Sequence, residues 1–269
     1  MIYVTGVASL RVCGLVGVVV ALLLRAVAAP SLVLDAGDGD GNTEPPPDDP
    51  GWERIGTKTP CPPQCGLTYV YLGEGWVLTA AHVTAQNVRL LASGLEYARV
   101  EGSELRIGGR GSRVDLLLFR IEDAPKLPLL TISETTPPTG TPVLMLAAGQ
   151  MRGDPLPGEP SPGWTHRLPA RLRWGTNRVF RSGVTRFTQV FSTRFERARH
   201  PLATPDEAHA VRGDSGGAVF VKREGRWELA GILVAATPAV YDGESYAADL
   251  AHYRDDLLGV LQGAPEEAP

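Results

Sequence analysis

The chain has 269 residues, 43% of them hydrophobic and 21% charged, with 31 Gly and 23 Pro. That suits one globular unit with a sizeable core, or two small subdomains, and the abundance of turn residues points to an all-β protein. The formal charge is −4, but residues 1–29 carry two bases and no acid, and residues 30–50 carry six acids and no base. Taking these from 26 bases and 30 acids leaves 24 of each over residues 51–269, so no positive field remains to favour nucleic acid.

Residues 1–29 read as a secretory signal peptide. Arg11 precedes an apolar run from Val12 to Leu24, and Ala26-Val27-Ala28 offers a small-residue cleavage site near Ala28 or Ala29. The run is short for a membrane span, although a retained segment would anchor the chain. Cys13 lies inside it, after a poor lipidation context. Residues 30–50 have no apolar periodicity and read as a disordered acidic Pro/Gly-rich linker. Their Asp/Gly spacing lacks the distal Glu of a calcium loop.

The mature chain keeps two cysteines, in Cys61-Pro62-Pro63-Gln64-Cys65. Export permits a local disulfide between Cys61 and Cys65. Metal ligation is the rival reading, without a nearby His or second Cys pair to support it. No metal site is expected.

From Gly51 onward the chain reads as short strands between turns. Candidates in the first half are 67–72, 75–79, 88–91, 97–100 and 115–121. Residues 127–140, with three prolines, read as the connection between two halves. Candidates in the second half are 142–147, 170–174, 189–193, 218–221, 227–235 and 246–248. Residues 151–163 read as a long loop. The dense arginines Arg167, Arg171, Arg173, Arg178, Arg181 and Arg186 read as solvated strand faces. His166 and His200 receive no role. Residues 249–262 predict a helix capped by Asp249, with Leu250, Tyr253, Leu257, Leu258 and Leu261 in one apolar stripe that docks on the second half. Residues 263–269 read as a tail.

Three segments carry chemistry. Thr79-Ala80-Ala81-His82 follows the run Gly75 to Leu78. Asp115 opens Asp115-Leu116-Leu117-Leu118-Phe119. Ser215 sits in Gly213-Asp214-Ser215-Gly216-Gly217, where glycines permit a tight turn and leave backbone N–H groups free to face an oxyanion. Singly, each has a duller reading as a structural His, a turn Asp or a tight turn. The order His82, Asp115, Ser215 joins them.

Together these segments resemble the trypsin/chymotrypsin-like serine protease family, over roughly residues 51 to 262, and most of all its compact bacterial secreted members. His82 matches the family's TAAH motif. Asp115 matches its D-[IL]-A-L-L motif, with Leu117 where Ala is usual, and Ser215 matches GDSGG. Residues 173–178 and 246–250 also look like segments of such proteins. The resemblance implies two antiparallel six-stranded β-barrels packed face to face, about 51–127 and about 139–248, with the helix 249–262 following. The cleft between them would hold protein or peptide substrate. It implies Ser215 as nucleophile, His82 as acid and base, Asp115 as its orienter, and the N–H groups of Gly213 and Ser215 as the oxyanion hole. It implies a secreted serine endopeptidase, extracellular or periplasmic, monomeric and without a cofactor.

Departures from the family are visible. Val83 replaces the cysteine that often follows the catalytic His. There is no Ile-Val-Gly-Gly activation sequence; Arg54-Ile55-Gly56 is a partial echo, close to His82. Direct folding into an active form is the expectation, with Asp214 paired to an unidentified group. His209 falls at the base of the primary pocket, next to Ala210, with Val234, Ala235 and Ala236 along its wall. That combination points to a neutral apolar preference, or to an acidic one if the His is decisive. Two rival functions are a protease-like binding module that has lost catalysis, and an autoprotease that cuts only its own linker.

Overall fold

The computed structural model describes residues 32–37, 39–60, 67–109, 111–156, 163–211, 213–238 and 241–263. The signal segment 1–29 and the Cys61–Cys65 pair lie outside the described residues. No helix among those described is long and apolar enough to cross a membrane.

Among the described residues, fifteen strands and one α-helix follow in chain order. They are β1 (Val33–Leu34), β2 (Ile55–Thr59), β3 (Thr68–Gly73), β4 (Trp76–Thr79), β5 (Asn87–Leu90), β6 (Glu96–Tyr97), β7 (Leu105–Arg106), β8 (Leu117–Arg120), β9 (Pro142–Leu156), β10 (Gly163–Thr185), β11 (Thr188–Arg194), β12 (Ala208–His209), β13 (Ala218–Arg223), β14 (Arg226–Ala236), β15 (Glu244–Asp249) and α1 (Arg254–Leu261). The β-branched and aromatic content of runs such as Thr68-Tyr69-Val70-Tyr71 explains the choice of strand.

The second half closes into a six-stranded barrel, β10-β11-β15-β14-β13-β9, all antiparallel. The first half departs from the expected matching barrel. It is a seven-stranded sheet in the order β6-β5-β2-β3-β4-β8-β7. It curls until residues past β6 meet residues past β8, through Val100 N–H to Arg120 O and Glu122 N–H to Ala98 O, each near 2.9 Å. Its core of Tyr69, Tyr71, Leu78, Leu116, Leu118 and Phe119 is fully buried.

Three segment readings change, those of the linker, the 151–163 loop and the helix. The supposed linker is packed: Leu32, Val33 and Leu34 are buried, and β1 pairs with β12 of the second half. Its acids find partners, Asp35 on the Tyr241 hydroxyl, Asp40 on Arg173, Asp48 on Lys222, and Asp49 on the N–H groups of Gly51 and Trp52. Ile55, the echo of an activation site, is buried inside β2 and paired with Val70. Residues 151–156 continue β9 rather than forming a loop. The helix starts at Arg254, because Asp249 ends β15 and its carboxylate accepts the Ala251 N–H and the Thr136 hydroxyl instead of capping a helix. The helix also lies against the first sheet. Asp255, Asp256, Gly259 and Val260 share a groove with Trp76, Leu105 and Ile107.

Among the dense arginines, Arg173 is not solvated. It is fully buried, donating to Gly39 O and facing Asp40.

Candidate active site

Strand register explains why His82 and Asp115 meet. Thr79, the last residue of β4, pairs with Leu117, the first of β8. His82 stands three residues beyond one and Asp115 two residues before the other, at the same end of the sheet. A 3₁₀ turn, Ala81–Val83, follows β4 with Ala81 and Val83 buried, which leaves the intervening His82 pointing outward.

Asp115 grips His82 twice. Its Oδ1 accepts the His82 backbone N–H at 2.9 Å, and its Oδ2 lies 2.7 Å from His82 Nδ1. Burial alone pushes the Asp115 carboxyl up; the hydrogen bonds and charge of His82, with Arg106 nearby, outweigh it and hold the group below its ordinary value. Asp115 therefore remains an anion, and Nδ1 carries the hydrogen toward it. His82 Nε2 is then free to accept, and Ser215 Oγ lies 2.8 Å away.

Ser215 arrives from the second half. The turn around it closes through Asp214 N–H to Val211 O and Gly217 N–H to Asp214 O, just before β13. Gly216 has φ of +87°, and a Cβ there would stand 1.9 Å from Thr68 O, so only glycine fits. Gly213 has φ of +107°, again accessible only to glycine. No hydrogen bond occupies the Ser215 N–H among the described residues.

Among the described residues, three further hydrogen bonds beside His82–Ser215 join the halves and hold them in register. Thr68 N–H donates to Ser215 O at 2.9 Å, Ala148 N–H to Thr68 Oγ1 at 3.0 Å, and Asp115 N–H to Thr188 Oγ1 at 2.9 Å. Thr68 and Thr188 are buried and carry no motif, so sequence reading passed over both.

Asp214 is fully buried. Its Oδ2 accepts the Val211 N–H at 2.9 Å, and the Leu32 backbone N–H and the Arg173 charge also favour its ionised form. Burial prevails and raises its pKa well above the ordinary value. The unidentified partner of Asp214 is thus the backbone of its own loop and of the N-terminal segment.

The five pocket candidates separate. His209 is buried against Phe195, with ring centroids 5.5 Å apart. Its Nε2 donates to Thr237 O at 3.2 Å, and its Nδ1 meets Ser245 Oγ at 2.9 Å. Burial pulls its pKa down to about 4, so it is neutral, and both ring nitrogens are already used. That removes the basis for an acidic preference directed by His209. Ala210 is buried too, with its N–H on Ser245 Oγ. Val234 and Ala235 line a cavity of about 340 Å³ together with His82 and Asp115. Ala236 is exposed beside them.

The family model for trypsin matches residues 57–255. The chain belongs to the trypsin family. Solved trypsin-like structures share its fold. Mouse neuropsin, a serine protease expressed in the limbic system of the brain, has a TM-score of 0.55 at 16% identity, over 82% of this chain and 99% of its own. Kallikrein-related peptidase 10, in a complex with Zn²⁺, has a TM-score of 0.52 at 15% identity, over 81% of this chain and 98% of its own. No curated protein matches this chain in sequence. Within the matched residues, His82, Asp115 and Ser215 are in hydrogen-bond contact.

Proposed function

We propose that this chain is a serine endopeptidase, exported by its first 29 residues and active as a monomer outside the cytoplasm. The observation that carries the reading is the unbroken chain Asp115–His82–Ser215, at 2.7 and 2.8 Å. Ser215 Oγ attacks the peptide carbonyl carbon as His82 Nε2 takes its proton. His82 then gives that proton to the leaving amine, and an acyl-Ser215 ester remains. Water deacylates it by the same steps in reverse. Asp115 keeps the Nδ1–H tautomer and stabilises the imidazolium. The N–H groups of Gly213 and Ser215 receive the oxyanion, each worth about 3 kcal/mol of barrier. The mechanism calls for no cofactor.

Self-cleavage confined to residues 30–50 gains no support from the packing of that segment, whose Asp35 N–H is already bonded to Glu207 O. The test is fluorophosphonate labelling of the mature protein beside Ser215→Ala and His82→Ala. Labelling at Ser215 in the native chain alone is expected. Folded native protein that takes no label would instead make the chain a binding module.

A further inference from the structure

The cavity beside His82 has a second distinguishing feature. Its lining of about 340 Å³ includes three arginines, Arg106, Arg113 and Arg186. All three are exposed, and none is in an ion pair among the described residues. Several arginines elsewhere on the same sheets do have carboxylate partners, Arg89 with Glu96, Arg99 with Glu104 and Arg181 with Glu244, while Arg120 and Arg178 stand singly, away from this cavity. The carboxylate facing this cavity, Asp115, is engaged by both the backbone and the ring of His82.

The arginines are also positioned. Arg113 lies over the Phe187 ring at 3.8 Å, which ties the segment before Asp115 to the turn between β10 and β11. That turn carries Arg186, held with φ of +44°. Arg106 reaches back to the carbonyls of Ser112 and Val114, each at 3.4 Å. Guanidiniums left without a carboxylate around a concave site are suited to an incoming planar anion, which they bind through paired N–H donors.

Resting on the serine-peptidase reading, we propose that this cavity recognises an Asp or Glu side chain of the substrate, near the bond that Ser215 cleaves. The cavity lies on the Asp115 side of His82. From Ser215 Oγ to Asp115 there are two contacts of 2.8 and 2.7 Å and one imidazole ring, which a seated peptide spans within two or three residues, at about 3.3–3.6 Å each. The acidic residue therefore sits a few positions from the scissile bond. Arg113 and Arg186 supply the specificity; Arg106, whose charge already acts on Asp115, is the third wall.

The test uses peptide pairs that differ only by Asp against Asn, scanned along the sequence around one cleavable bond. Two readouts run in parallel: kcat/KM with the native chain, and binding of the dye-labelled peptides to Ser215→Ala. At one position the Asp peptide is expected to be favoured about tenfold, the size of one charge-assisted hydrogen bond at a partly solvated site. The ratio should fall toward one in Arg113→Gln/Arg186→Gln, and shrink with salt in the native chain. Equal handling of Asp and Asn at every position, or a preference that survives the double substitution, overturns the proposal. If no peptide is hydrolysed and Ser215 takes no fluorophosphonate, the peptidase reading fails. The binding ratio then still decides whether the arginine cavity selects acidic peptides.

Discussion

Asp115 has two jobs at the residue scale, each with its own oxygen. Replacing it by Asn keeps the size but offers an N–H where an acceptor is needed, which turns the imidazole to the wrong tautomer. Asp115→Asn is expected to lower kcat by about 10⁴, the order such a swap has in triad enzymes, with little change in KM. Steady-state kinetics on a peptide substrate checks this. Gly216→Ala places a methyl group within 1.9 Å of Thr68 O in a conformation that alanine avoids. Loss of Ser215 labelling and a lowered Tm are expected, since backbone cannot yield as a side-chain end can. Glu207 is buried among the N–H groups of Glu196 and Thr204. Burial pushes its pKa up to about 7, against the pull of those hydrogen bonds. A raised folded-state pKa means that the folded chain holds a proton the unfolded chain has lost. The stability contribution is full below about pH 4.5 and disappears as pH rises through about 7. Urea midpoints measured across that window should fall with pH, and Glu207→Gln should flatten the slope.

The strands near the site differ in how openly they announce themselves. Thr68–Gly73 and residues 218–221 are runs of apolar, aromatic and β-branched residues that are buried throughout, so propensity and burial agree. β1 is two residues long inside an acidic, proline-rich stretch, and its local composition speaks for disorder. It is ordered by tertiary partners that no local pattern records: His209 across the pair, and the buried cluster of Met145, Ala210, Val219 and Leu233 that Leu32 joins. The cationic partners of its neighbouring acids lie more than a hundred residues away along the chain. A chain starting at residue 39 lacks Leu32 to Asp35. It is expected to label more slowly at Ser215 than the chain starting at residue 30, with a lower Tm. Equal labelling would show that the serine turn stands without β1. The helix starts later than its sequence suggests for a similar reason. Asp249 has the chemistry of a cap, but its carboxylate is taken up by Thr136 and the Ala251 N–H at the end of a strand.

At the scale of the molecule, the order of His82, Asp115 and Ser215 was legible because each sits in a run of several informative residues. The clamp that aligns them was not. Thr68 and Thr188 are single threonines whose value lies in facing the other half of the chain. Thr188→Val removes the acceptor for the half-buried Asp115 N–H, at a cost of about 1 kcal/mol. A fall in kcat larger than the fall in Tm implies is expected, because the lost bond is part of the register between the halves.

The path of the chain is also unusual in its start. Among the described residues it starts in the second half with β1, crosses to build the first sheet, and returns through residues 127–140 to complete the barrel. A cut in that connection produces two fragments, each missing part of the other. The N-terminal one carries His82, Asp115 and the β1 strand; the C-terminal one carries Ser215 and the groove that β1 occupies. Hydrolysis by a mixture of the two would then be bimolecular in protein, its rate following the product of the fragment concentrations until the complex saturates, with β1 acting as the strand one fragment lends to the other.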